Sequence, residues 1–122
     1  MSSYADKLRD IVNTTHVGLA LTLSKDLGIL QVLLNAQKPL TSHEIAAERD
    51  LKERYARELL NSLATAEVIH ASTTDTGILL YHLKEDEKAA FRTRTMAYIS
   101  FPKGMIKTFD QVKLVFSKTG PL

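Results

Sequence analysis

The chain has 122 residues, of which 44% are hydrophobic and 25% charged, and its formal net charge at pH 7 is +2. This length predicts one domain with a modest core. The absence of cysteine excludes disulfides and thiolate metal sites. No apolar run approaches the ~20 residues of a membrane span, and the charged first ten residues do not fit a signal peptide. We therefore expect an intracellular, cytoplasmic protein with no membrane partner.

The first predicted element is an amphipathic helix from about residue 4 to residue 24. One face repeats at spacings of three and four: Leu8, Ile11, Val12, Thr15, Leu19 and Leu23. Val17, Ala20 and Leu21 add apolar surface outside this stripe, so we expect the helix to have more than one neighbour. Gly18 predicts a close helix–helix approach.

A short second helix, "ILQVLLNA", follows a break at 26–28, and Pro39 prevents its continuation. Thr41 and Glu44 then form a capping-box pattern that begins a third helix, "SHEIAAE". Asp50 is expected to cap a fourth helix, from about residue 51 to residue 67. The buried face of this fourth helix is predicted to hold Tyr55, Leu59, Leu60 and Leu63. The third and fourth helices together outline a helix-turn-helix.

Two short β-rich runs follow, "VIHA" and "ILLYHL", on either side of the polar turn "STTDTG". Gly77 in this turn can adopt a positive φ, and the arrangement predicts a hairpin. The predicted fold class is therefore mainly α with a small β-hairpin: a winged helix-turn-helix with extra N-terminal and C-terminal helices.

The last third is predicted to be a helical extension. A short helix is expected at 86–94, and an amphipathic helix after Pro102 and Gly104. The apolar stripe of this last helix holds Met105, Phe109, Val112 and Phe116. A small winged helix does not need this segment to close its core. We therefore divide the chain into a winged-helix domain at 1–84 and an extension at 85–122.

The exposed side of the fourth helix is a candidate DNA-reading surface, with Lys52, Arg54, Arg57 and Asn61. The alternative is a solvated face on which Glu53 pairs with Arg57 and Arg54 with Glu58. Residues 41–84 hold five Lys/Arg against seven Asp/Glu, and the wing turn carries no cation. Because DNA affinity depends on phosphate neutralisation, the sequence favours the alternative.

The sequence offers no candidate for catalysis. Its five glycines are scattered and form no phosphate-binding loop. His70 and His82 are expected to be neighbours on the hairpin, but no third metal ligand lies within reach in the sequence. We predict no catalytic, cofactor-binding or metal-binding residue in this chain.

The order of motifs resembles the N-terminal winged-helix region of S-adenosylmethionine-dependent methyltransferases. The matching pieces are "LGILQVL", "PLTSHEIA", "LKERYARELL" and "EVIH", and residues 101–122 look like the linker helix that leads into the catalytic domain. A departure occurs at Ala66–Glu67, where family members tend to have glycine. The chain ends about where the catalytic domain would begin, so no cofactor-binding residue can be assigned. S-adenosylmethionine is implied for the full-length relative only.

This resemblance implies a non-catalytic module that dimerises, packs on the catalytic domain and in some relatives lines the substrate pocket. The candidate association surface consists of Val17, Leu21, Met105, Phe109, Val112 and Phe116. For each of these residues, burial in the domain's own core is the competing interpretation. Two other functions stay open: a small winged-helix DNA-binding regulator, and a free-standing inactive relative that forms mixed dimers with a full-length methyltransferase.

Overall fold

The computed structural model describes residues 3–120. Its helices are α1 (Tyr4–Asp26), α2 (Ile29–Asn35), α3 (Ser42–Glu48), α4 (Glu53–Thr65), α5 (Glu85–Ala90), α6 (Phe101–Lys107) and α7 (Phe109–Phe116), with a 3₁₀ helix at Arg94–Ser100. Strands β1 (His70–Thr73) and β2 (Leu79–His82) form an antiparallel hairpin between α4 and α5. The predicted fold class, mainly helical with one small hairpin, is confirmed.

The core lies where α2, α3, α4 and the hairpin meet. Its fully buried large side chains are Ile29, Leu33, Ile45, Leu60, Leu63, Ile69 and Tyr81. Burying each aliphatic side chain contributes about 1.5–3 kcal/mol, so this cluster supplies most of the driving force for folding. The core faces of α2 and α3 consist of buried residues: Ile29, Val32, Leu33, Ile45 and Ala46.

The turn between α1 and α2 depends on Gly28, which has φ +82°. The Arg49 side chain lies directly over this glycine and donates from Nε to the Leu27 carbonyl at 3.3 Å. Gly18 differs, because no neighbouring atom lies within 4 Å of the position that a Cβ would occupy. The predicted close helix contact at Gly18 is therefore wrong.

The helix-turn-helix begins at the predicted capping box. The Thr41 hydroxyl accepts from the Glu44 N–H at 3.1 Å, and the Glu44 carboxylate accepts from the Thr41 N–H at 3.0 Å. The predicted cap at Asp50 is wrong: this residue has φ +54°, and α4 begins at Glu53, after Lys52, which makes no side-chain cap bond.

The inward face of α4 is rotated from the predicted one. Tyr55 is 62% exposed, whereas Ala56 is buried with Leu60 and Leu63 at the i, i+4, i+7 spacing of one helical face. Leu59 is half-buried at the edge of this face. The small side chain of Ala56 lets α4 lie close to the core, so the larger Tyr55 is placed outside.

The hairpin pairs His70 with His82 at its open end and Thr73 with Leu79 beside the turn. A further stretch of extended chain joins it, because Leu40 forms an antiparallel bridge with Tyr81. The N–H of Leu40 donates to the Tyr81 carbonyl at 3.0 Å, and that of Tyr81 to the Leu40 carbonyl at 2.7 Å. The wing is therefore fixed to the segment that enters the helix-turn-helix.

The C-terminal extension is attached to the domain at two places. Lys88 on α5 is buried and donates to the Ala36 carbonyl at 2.8 Å. The Thr22 hydroxyl on α1 donates to the Ile99 carbonyl, and Lys103 pairs with Asp26 at 2.7 Å. The predicted division at residue 84 stays a prediction.

The helix boundaries in the extension differ from the prediction. Helix α5 ends at Ala90 and not near residue 94. The expected last helix begins earlier, with Pro102 in the first turn of α6, where its missing N–H leaves no bond unmade. It is then divided at Thr108 into α6 and α7.

Candidate interaction surfaces

The exposed side of α4 carries the candidate DNA contacts, and each is engaged within the helix or with the wing. Arg57 lies 3.6 Å from the Glu53 carboxylate, and Arg54 lies 3.4 Å from that of Glu58. The ammonium of Lys52 lies 5.7 Å from the Tyr55 ring centroid. The two ion pairs are the i,i+4 pairs of a solvated helix face, which agrees with the competing interpretation.

Asn61 has a structural partner that the sequence did not indicate. Its Oδ1 accepts a hydrogen bond from the hydroxyl of Tyr81, which is 1% exposed. Burial raises the pKa of the Tyr81 phenol, so this group is protonated at neutral pH and acts as donor. Asn61 therefore joins the recognition-like helix to the wing.

The wing offers little to a phosphate backbone. Its turn is closed by Thr74, whose N–H donates to the Ile78 carbonyl at 2.9 Å and whose hydroxyl accepts from the Ile78 N–H at 3.1 Å. Gly77 takes the positive φ that the sequence predicted, +85°. The charged side chain of the turn is Asp75.

Helix α1 presents most of its apolar stripe to solvent, whereas Leu19 is half-buried. Tyr4, Leu8, Ile11, Val12 and Leu23 are between 47% and 74% exposed. At 100° per residue, Leu8 lies opposite Val17 on the helix, and Val17 and Leu21 are half-buried. Leu21 packs against the core cluster. The free apolar face of α1 is therefore the stripe, while Val17 and Leu21 point towards the domain.

The C-terminal helices expose the other predicted association residues. Met105 is 66%, Phe109 61%, Val112 47% and Phe116 85% exposed. Every residue of α7 is exposed. The surface also includes apolar residues that the sequence reasoning did not single out: Phe101, Ile106, Leu114 and Val115. For Phe101, the signal was the continuation of the apolar spacing back from Met105, which the presence of Pro102 concealed.

An open groove runs between α1 and α4. On one side, a cavity of about 440 Å³ is lined mainly by apolar groups, including Leu23, Leu27, Leu51, Tyr55 and Leu59. On the other side, a wider opening of about 690 Å³ is more polar. The surface beside the recognition-like helix therefore combines apolar and polar patches.

The two hairpin histidines are neighbours, as predicted. Their rings stack with centroids 5.2 Å apart, and His70 Nε2 lies 2.7 Å from the Glu87 carboxylate. Within residues 3–120, no three His, Asp or Glu side chains converge as metal ligands.

In the same part of the chain, no single helix is long and apolar enough to cross a membrane. Taken together, α1 and α2 have the length and the apolar composition of a membrane span, but they are bent by 74° relative to each other.

Comparison with known proteins identifies the fold. The model of the Rv2258c-like winged HTH domain family matches residues 15–94. A search of curated proteins finds no match. Among solved structures, human N-acetylserotonin methyltransferase in complex with SAM matches with a TM-score of 0.67 and 22% identity, over 88% of this chain. The match covers 31% of the methyltransferase, so this chain spans less than a third of that protein's length.

Two bacterial proteins match with lower structural similarity. Lactococcus lactis ZitR, as its C30AH42A mutant in apo form, gives a TM-score of 0.45 at 17% identity, over 97% of this chain and 86% of that chain. MepR, a transcription regulator of the Staphylococcus aureus multidrug efflux pump MepA, gives a TM-score of 0.44 at 16% identity, over 96% of this chain and 87% of that chain. The family match covers the helix-turn-helix, the wing and α5. The chain belongs to the Rv2258c-like winged helix-turn-helix domain family.

Proposed function

We propose that this chain is a non-catalytic interaction module of an S-adenosylmethionine-dependent methyltransferase, which joins a second copy of itself and a catalytic domain. The observation that carries the proposal is the exposure of the whole of α7, with Phe116 85% exposed. An isolated helix of eight residues is marginal in water, so a partner surface is needed to hold it. The similarity to a methyltransferase fold supports the choice of partner.

The size of the exposed surface supports a specific interface. The eight large apolar residues of α6 and α7 are between 47% and 85% exposed. Each offers on the order of 100 Å², given the 150–250 Å² of a whole aromatic side chain. Together they approach the ~800 Å² that each partner contributes to an interface of standard size.

Charge suggests that the two apolar faces, one on α1 and one on α6 and α7, bind different partners. Residues 101–120 hold four lysines against one aspartate, so two copies of this segment would repel each other. We assign α6 and α7 to a catalytic domain that surrounds its apolar contact with carboxylates. In the first half of α1, Lys7 and Arg9 are balanced by Asp6 and Asp10. We therefore assign the α1 stripe to the second copy.

The test is sedimentation velocity of the chain and of two variants. We expect the chain to self-associate at micromolar concentration and Ile11→Glu, in the middle of the α1 stripe, to weaken the dimer at least tenfold. Phe116→Glu should leave the dimer intact but reduce binding of the apolar dye ANS. A monomer at 100 times that concentration, or a dimer insensitive to Ile11→Glu, would refute the assignment.

A DNA-binding regulator is the second candidate, because α4 exposes the side chains of Arg54 and Arg57 by 76% and 49%. Two observations weigh against this candidate. Residues 41–84 have a net acidic charge, and Asn61 is hydrogen-bonded to Tyr81 within the domain. If this candidate is right, duplex DNA binds with a steep salt dependence, and Arg57→Ala weakens the complex.

A further inference from the structure

The N-terminal half of α1, residues 4–16, is a free arm. All of its residues except Asp6 are exposed, whereas from Val17 onward α1 is half-buried or buried on the side that meets the domain. A capping box between Ser3 and Asp6 begins the helix at its free end. The arm is about 20 Å long, and an isolated helix of this length is marginal in water. It therefore needs a surface to lie on.

The groove between α1 and α4 is an apolar surface of matching kind. Its cavity of about 440 Å³ is lined by the buried Ala56 and by five larger side chains: Leu23, Leu27, Leu51, Tyr55 and Leu59. At its rim, Leu23 is 51% and Tyr55 62% exposed. Because Leu23 is also the last residue of the α1 stripe, the stripe and the groove form one continuous apolar surface.

Two copies of α1 match each other when they lie antiparallel. With the twofold axis between Thr15 and His16, Leu8 of one copy lies level with Leu23 of the second. The tip of the arm, at Tyr4, then reaches the groove of the second copy. Each arm meets the groove of the other copy, so the contact is isologous and closed. In a parallel pair the arms would cover each other, and both grooves would stay empty.

The polar groups of the arm are compatible with this contact. Thr15 lies at the axis, and its hydroxyl donates to the Ile11 carbonyl at 2.8 Å, so burial leaves no hydrogen bond unmade. At the groove, the ammonium of Lys52 lies 5.7 Å from the Tyr55 ring centroid. Within residues 3–120, no carboxylate lies within ion-pair distance of Lys52. The acidic residue near the tip of the arm, Asp6, supplies the opposite charge.

We propose that two copies of this chain exchange arms, so that residues 4–16 of each copy lie antiparallel along α1 of the other and end in its groove between α1 and α4. The proposal rests on the assignment of the α1 stripe to a second copy. It adds the orientation of the pair and a second surface, on α4, that the proposed function does not assign.

The area is sufficient for a specific dimer. The large apolar residues that the exchange covers are between 47% and 74% exposed in the single chain: Tyr4, Leu8, Ile11, Val12, Leu23 and Tyr55. At on the order of 100 Å² each, they supply about 600 Å² per copy. The total of about 1,200 Å² is the lower bound for a specific interface, so we expect micromolar affinity.

Arm exchange also determines what α4 can bind. In a helix-turn-helix that reads DNA, the N-terminal residues of the second helix contact the base edges. Here that end of α4 carries Tyr55 and follows Lys52, both of which line the groove. The arm of the second copy covers them. The dimer therefore excludes duplex DNA from the start of the recognition-like helix.

The first test is disulfide cross-linking, for which the chain has no cysteine of its own. An equal mixture of Leu8→Cys and Leu23→Cys chains should give a covalent dimer under mild oxidation. Neither variant alone should do so, because two copies of either position lie about 22 Å apart in the antiparallel pair. Asp10→Cys is the control, since it lies on the opposite face of α1, and with Leu23→Cys it should give no link. A link within Leu8→Cys alone, or none from the mixture, would overturn the proposal.

The second test measures the groove by sedimentation velocity. Tyr55→Glu places a charge in the groove at an exposed position, and we expect it to weaken the dimer at least tenfold. Ile78→Glu, at a position on the wing that is 51% exposed, should leave the dimer unchanged. A dimer that is weakened by Ile11→Glu but not by Tyr55→Glu would overturn arm exchange and leave the proposed function intact. A chain that stays monomeric would overturn both.

Discussion

Removing the exposed residue Asn61 is expected to destabilise the domain more than removing the buried hydroxyl of Tyr81. In Asn61→Ala, the Tyr81 hydroxyl loses its acceptor while buried among core residues, which costs about 1–3 kcal/mol. The better helix propensity of alanine offsets about 0.5 kcal/mol of this. In Tyr81→Phe the donor itself is removed, and the exposed Asn61 amide can bind water instead. We therefore expect the free energy of unfolding to fall by about 1 kcal/mol or less.

The assay is urea unfolding followed by far-UV circular dichroism, for the two single variants and the double variant. The double variant should be about 0.5 kcal/mol more stable than Tyr81→Phe alone, since the orphaned donor is gone and the better helix propensity of alanine remains. Asn13→Ala, the same substitution at an exposed position of α1, should stabilise by about 0.5 kcal/mol. If Asn61→Ala were no more destabilising than Tyr81→Phe, Asn61 would have no structural role, and its assignment to DNA would regain support.

Three further predictions concern backbone strain, open helix positions and acid stability. Glu67 has φ +62°, so Glu67→Gly should stabilise by up to about 1 kcal/mol in urea unfolding, and a loss would mean that its side chain has a packing role. Gly18→Ala should stabilise the domain by about 1 kcal/mol. Gly77→Ala should destabilise it, because Gly77 has as much room for a Cβ but a φ of +85°. If the two substitutions changed the free energy of unfolding in the same direction, this expectation would be refuted. Three carboxyls have a lowered pKa because each accepts a hydrogen bond: Glu44 from Thr41, Glu53 from Ser42 and Glu87 from Lys84. Their contributions to the free energy of unfolding are complete above about pH 4.5 and are lost as pH falls through the lowered pKa values. A thermal midpoint that does not fall from pH 5 to pH 3 would contradict the last expectation.

The fold could be predicted because its signals are local. The capping box at Thr41 and Glu44, the apolar spacing of α2 and the turn at Gly77 each depend on residues a few positions apart. The glycine expected near Ala66–Glu67 also has a structural counterpart, since Glu67 adopts a left-handed conformation there.

The surfaces were harder to predict, because apolar spacing does not say which side of a helix meets the core. The stripe of α1 follows the pattern of a buried face, yet Leu8, Ile11 and Val12 are about half exposed. The bond between Asn61 and Tyr81 joins residues 20 positions apart in different elements, and nothing local indicates it. Whether the exposed residues bind a partner stays a prediction.

The most direct test of the proposed function is a titration of the chain with random duplex DNA while its molar mass is recorded by light scattering. The titration is made at about 50 mM and 200 mM salt, the range over which phosphate contacts weaken strongly. The proposal predicts the mass of a dimer at both salt concentrations and no DNA complex. A monomer that binds DNA tightly at the lower salt concentration, and weakly at the higher one, would contradict it.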